Sequence, residues 1–178
     1  MNITTIDQLA EVRLRIGRIQ SRAQAGVTAD VLPRIQRHLD ALHQEEASVR
    51  AAVGQTPDEV EEKLGRLTTR LDVAEHSLAA DLSPDWATFA AAVEEELRGW
   101  DTYLERLQTG VVANASRTRE QAEAAIADVR SRRIAVEERL AQACDGFGDG
   151  GHEDRGRVTA ARDELARRAH QLPTKFNR

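Results

Sequence analysis

"GQTPDEVEEKL", Gly54 to Leu64, is the stretch on which the fold turns. Thr56 and Glu59 stand three apart, the spacing of a capping box, in which each side chain satisfies an orphan amide of the other residue. Pro57 falls at the first helical position, where a missing N–H costs nothing. A helix therefore starts here. Its apolar residues confirm the period: Val60, Leu64, Leu67, Leu71, Ala74 and Leu78 follow at steps of three and four. "LSPDWATF", Leu82 to Phe89, repeats the device. Ser83 reads as the cap, Pro84 as the start, and Asp85 as a first-turn carboxylate that favours the helix dipole. The stripe that follows is Trp86, Ala90, Val93, Leu97, Trp100, Leu104, Leu107 and Val111.

Upstream, Leu9, Val12, Ile16, Ile19 and Ala23 mark a first helix, and Leu32, Ile35, Leu39, Leu42, Glu46, Val49 and Val53 mark a second. The two registers are offset across "AGVTADVLP", where Gly26, Thr28 and Pro33 predict a break or kink. Glu46 is the odd member of an inward stripe. Downstream, a turn near Thr109–Gly110 divides Pro84–Ala143, which as one helix would run about 90 Å. Ile126, Val129, Val136 and Leu140 resume the pattern, with Arg133 interrupting it. Val158, Ala161, Leu165, Ala169 and Leu172 end it before Pro173. No strand pattern competes.

The expected fold is all-α: an elongated antiparallel helical bundle with coiled-coil character, in five or six helical segments, since short connections favour antiparallel neighbours. Residues 1–144 read as the bundle, 145–155 as a Gly/Asp-rich flexible linker, 156–173 as a short C-terminal helix, and 174–178 as a tail. Aromatics are only 3% of the chain, so the core must be aliphatic and thin. No apolar run approaches the ~20 residues that span a bilayer. The N-terminus has no signal-peptide pattern. A single cysteine, Cys144, excludes an internal disulfide. Arginine outnumbers lysine so far that only Lys63 and Lys175 are lysine, a bias of GC-rich bacterial genomes. A reduced, cytoplasmic protein is expected.

Chemistry is hard to place. "CDGFGDGGHEDRG", Cys144 to Gly156, matches calcium-loop oxygens only at Asp145 and Asp149, with Gly150 at the turn; it lacks the bidentate glutamate. It has no Gly-Lys-Ser/Thr phosphate loop either. Asp40 and His43 give one degenerate copy of a motif that di-iron bundles need twice. No cofactor, metal or small-molecule substrate follows, and an enzyme would need a site dispersed along the chain.

Two asymmetries remain. Trp86, Phe89, Trp100 and Tyr103 cluster on one helix, with the tryptophans on its seam and Phe89 and Tyr103 beside it. They serve either as core of a central helix or as interface anchors. Charge is also uneven: residues 56–105 carry a net −9, residues 106–178 a net +3, and the whole chain −5. The candidate partner-binding residues are therefore Phe89, Tyr103, Arg130, Arg132, Arg133, Arg162, Arg167 and Arg168. The expected function is a non-enzymatic protein–protein interaction module, an adaptor, scaffold or accessory subunit, with self-association as one form of it. The alternative is a nucleic-acid or anionic-lipid binder using the basic C-terminal region; a bundle enzyme is third.

Overall fold

The computed structural model describes residues 3–52, 56–111, 116–145 and 152–172. Six helices account for nearly all of them: α1 (Ile3–Gly26), α2 (Leu32–Ala52), α3 (Pro57–Asp81), α4 (Trp86–Val111), α5 (Ser116–Asp145) and α6 (His152–His170). No strand occurs among the described residues.

The cap at Thr56 is formed as its spacing requires. Its hydroxyl accepts from the Glu59 amide at 3.4 Å, and its own amide donates to Glu59 Oε2 at 3.3 Å. The second cap differs from expectation. Ser83 Oγ donates back to Ala79 O at 2.8 Å, and Asp85 Oδ1 accepts from the Thr88 amide at 2.8 Å. Asp85 is thus the cap of α4. A carboxylate competes better than a hydroxyl for the exposed amides of a first turn. The break before α2 is a true interruption between Gly26 and Leu32. The turn expected near Thr109–Gly110 is helical instead: α4 continues through both residues to Val111, and α5 is described from Ser116.

From α2 onward, helices consecutive in the chain run antiparallel, as their side-chain pairs show. Arg34 meets Asp81 while Arg70 meets Glu45, so α2 descends as α3 rises. A methyl group on Gly99 would lie 2.7 Å from Val73 Cγ2, so glycine lets α4 approach α3 closely. Tyr103 meets Arg70 further along the same pair. Arg132 faces Glu164 and Arg168 faces Asp128, which pairs α5 with α6 in the same sense.

Two apolar cores result. Leu9, Val12, Ile16, Ile19 and Ala23 of α1 pack with Ile35, Leu39, Leu42 and Val49 of α2 and with Leu64, Leu67, Leu71, Ala74 and Leu78 of α3. Phe89, Val93, Leu97, Trp100, Leu104 and Leu107 of α4 pack with Ile126, Val129, Val136 and Leu140 of α5 and with Val158, Leu165, Ala169 and Leu172 of α6. Val73 and Ala80, on the back of α3, belong to the second core. α3 is therefore buried on two sides. Trp86, expected inside, is only partly buried, because it lies at the first residue of α4.

α6 begins at His152, earlier than the sequence suggests, and it is a full member of the bundle. Arg155 Nη2 donates to Ala80 O at 3.1 Å and Ser83 O at 2.8 Å, capping the carbonyl end of α3, while its guanidinium lies 4.6 Å from the Phe89 ring centroid. The remainder of the supposed linker, 146–151, lies outside the described residues, as does the tail.

Candidate functional site

The charged residues divide into an interior set and a surface set, and only the second can meet a partner. The interior set forms a polar layer where α2, α3, α4 and α6 meet. Arg162, 1% exposed, donates to Glu96 Oε2 at 2.7 Å, to Asp81 Oδ1 at 3.1 Å, and to both Ser77 O and Oγ at 3.1 Å. Asp81 also pairs with Arg34, which reaches Asp163 Oδ1 at 2.6 Å. Arg70 donates to Glu45 Oε1 at 3.1 Å and to the Tyr103 hydroxyl at 2.8 Å, and that hydroxyl donates to Glu45 at 2.9 Å. His38 packs beside it, 5.0 Å from the His170 ring and 6.4 Å from Trp100.

Burial, helped by Arg70, Arg162, Arg34 and Arg37, pushes the His38 imidazole down to about 3. His170 is lowered too, by burial and then Arg70. Burial raises the Glu96 carboxyl despite Arg162. The Tyr103 hydroxyl is likewise raised by burial.

Phe89, Tyr103 and Arg162, candidates for partner contact, are thus interior residues. Phe89 and Tyr103 have no exposed surface. The reason is the width of the buried arc on α4, which faces α3 on one side and α5 and α6 on the other. The interior charges were missed because periodicity assigns arginine and glutamate to water. The available signal was spacing: Arg70 follows Leu67 by three, Glu96 follows Val93 by three, and Arg162 follows Val158 by four.

On the surface, α5 and α6 leave a groove between them of about 370 Å³. Arg132, Ala135 and Arg139 line it from α5, at steps of three and four; Arg157, Ala160, Ala161 and Glu164 line it from α6. The alanines make the floor, and larger side chains there would fill it. Three arginines against one carboxylate make the rim basic. Glu164 is already engaged: Arg167 and Arg168 bond it at 2.7 and 3.0 Å and hold its carboxyl down at about 2. Arg157 pairs with Glu153, and at 3.6 Å with Asp154. Arg139 is exposed and has no ion-pair partner among the described residues.

Of the remaining surface candidates, Arg132 lines the groove, and Arg167 and Arg168 flank it through Glu164. Arg130 and Arg133 turn toward α4 instead: Arg130 donates to Gln108 Oε1 at 2.6 Å, and Arg133 pairs with Asp101 at 2.9 Å and with Glu137. Arg139, Arg157 and the alanine floor went unread in the sequence, although the Arg132–Ala135–Arg139 spacing was visible there.

The groove offers cations and van der Waals surface to an anion. It carries no nucleophile beside a base. Among the described residues, no three His, Cys, Asp or Glu side chains are grouped to hold a metal ion, and no helix is long and apolar enough to cross a membrane. Comparison with protein-family models, with curated proteins and with solved structures gives no significant match.

Proposed function

We propose that the protein is a non-enzymatic interaction module, an adaptor or accessory subunit, and that the α5–α6 groove receives an acidic segment of a partner protein. One observation carries the reading: an alanine floor lies under a rim of Arg132, Arg139 and Arg157. Small floor residues let a partner backbone or helix approach closely. The arginines then supply bidentate donors for its carboxylates. Sequence-independent binding to a nucleic-acid backbone is less well supported. It needs a long track of cations along the phosphate backbone, and the groove presents three, Arg132, Arg139 and Arg157.

The test compares three probes against the full chain by fluorescence anisotropy and vesicle co-sedimentation: an acidic amphipathic helical peptide, single-stranded DNA, and phosphatidylglycerol vesicles. The expected result is saturable peptide binding, weakened at least tenfold in Arg132→Glu/Arg139→Glu/Arg157→Glu. Stronger retention of DNA or vesicles, lost steeply with salt, would transfer the function to the alternative.

A further inference from the structure

We infer that α1 is a self-docking surface, pairing antiparallel with α1 of a second copy of this chain about a two-fold axis. α1 takes no part in the α5–α6 groove, so the inference stands apart from the function proposed above. Opposite its buried face, α1 presents Ile6, Ala10, Leu14, Gly17, Ser21 and Ala25 at steps of three and four, without a charge among them. Leu14 is 61% exposed and Ile6 45%, the only large hydrophobics α1 leaves open among the described residues.

The stripe is complementary to itself when reversed. Laid antiparallel, Leu14 meets Gly17 of the second copy, Ile6 meets Ala25, and Ala10 meets Ser21, so each large side chain falls on a small one. Gly17 adds an independent reason. A glycine inside a helix weakens it, and here nothing among the described residues requires one: a methyl group on Gly17 would meet none of their atoms within 4 Å. Gly99, by contrast, is needed for the approach of α3. A helix crossing at Gly17 would use the space.

Charge agrees with the same register. Asp7 and Glu11 lie on one flank of the stripe in its first half, and Arg18 and Arg22 lie on the same flank in its second half, all exposed. In an antiparallel pair that flank faces itself, so Glu11 meets Arg18 and Asp7 meets Arg22, twice over. A parallel pair would turn that flank toward the opposite flank, which carries Arg13, Gln20 and Gln24, and would lose this match. Within one chain Arg18 reaches Glu11 only at 3.3 Å, with both side chains more than half exposed. Arg13, on the other flank, is held by Glu46 at 2.6 Å. A two-fold axis produces this isologous arrangement and closes it at a dimer.

Sedimentation equilibrium of the full chain, from about 1 µM to about 1 mM, tests the pairing, since one helix pair buries less than about 1,200 Å² and falls among weak interfaces. The wild type is expected to shift from monomer to dimer in that range. Leu14→Glu and Gly17→Leu should each weaken dimerisation at least tenfold without loss of helical content, because neither side chain contacts the monomer core. Glu11→Arg and Arg18→Glu should each be monomeric alone and dimeric when mixed. A wild type that stays monomeric to the highest concentration would overturn the inference. So would a dimer indifferent to Leu14→Glu, or single charge variants whose mixture fails to associate.

Discussion

At Arg162 one guanidinium from α6 reaches Ser77 and Asp81 on α3 and Glu96 on α4. Removing it would strand buried carboxylates. Arg162→Ala should therefore destabilise the fold by about 3–5 kcal/mol in urea unfolding, the usual cost of breaking a buried pair on one side. Arg162→Met combined with Glu96→Leu should recover much of that loss, because matched apolar groups avoid the desolvation of both ions.

His38 and His170 set the pH response. Both are held neutral in the fold, with imidazole pKa shifted below that of the unfolded chain. The unfolded state therefore binds more protons. The stability they confer is complete above about pH 6.5, the unfolded value, and falls as the pH drops toward 3. Its slope reaches about 1.4 kcal/mol per pH unit for each histidine. The raised Glu96 carboxyl acts with the opposite sign. His38→Leu isolates the histidine part: the urea midpoint should fall less steeply between pH 7 and 5 than in the wild type. Identical slopes would refute the assignment.

At the scale of the element, the caps and the arc of α4 make separable predictions. Thr56→Ala should cost about 1 kcal/mol in urea melts, as lost N-caps do, and Asp85→Ala should lower the urea midpoint as well. Asp85 is held below the usual carboxylate range by the Thr88 amide, so its contribution should fade as the solution is acidified through that depressed value. Phe89→Ala should cost about 3–5 kcal/mol, as truncation of a buried phenylalanine does. A silent Phe89→Ala would return that residue to the surface and reopen its role in partner contact.

The same helices show what a sequence can reveal. The stripe of α1 from Leu9 to Ala23 is buried in full, since a helix touching the core on one side writes one apolar face. α3 touches neighbours on two sides. Its second face, with Thr69, Arg70, Val73, Ser77 and Ala80, mixes small and charged residues. Such a face becomes interior only through ions supplied by α2, α4 and α6, and no local period reports a partner so distant in the chain. Glu46 sits between these cases. Its place on the α2 stripe was plain, but Arg13 and Arg50, which hold its carboxyl low against the cost of burial, are visible only in the folded chain.

For the whole molecule, the placement of α6 links architecture to function. The sequence pattern sets it apart behind a glycine-rich stretch, whereas Arg155 and Arg162 fasten it to α3 and α4. So fixed, it lies along α5 and leaves the alanine-floored groove between them. The candidate site was half legible for this reason: Arg132, Arg167 and Arg168 stood out by charge, but the concavity exists only once α6 is docked. The most direct test of the groove as a protein-binding site is photo-crosslinking in cells that normally make the protein. Gln142→benzoylphenylalanine places the probe on the exposed α5 stripe one step beyond Arg139, beside the groove rather than in it, and Glu94→benzoylphenylalanine places a control on the exposed side of α4. A discrete protein adduct formed from position 142 alone, and lost with Arg132→Glu/Arg139→Glu/Arg157→Glu, is the predicted result. Equal adducts from both positions, adducts with nucleic acid only, or none at position 142 would contradict it.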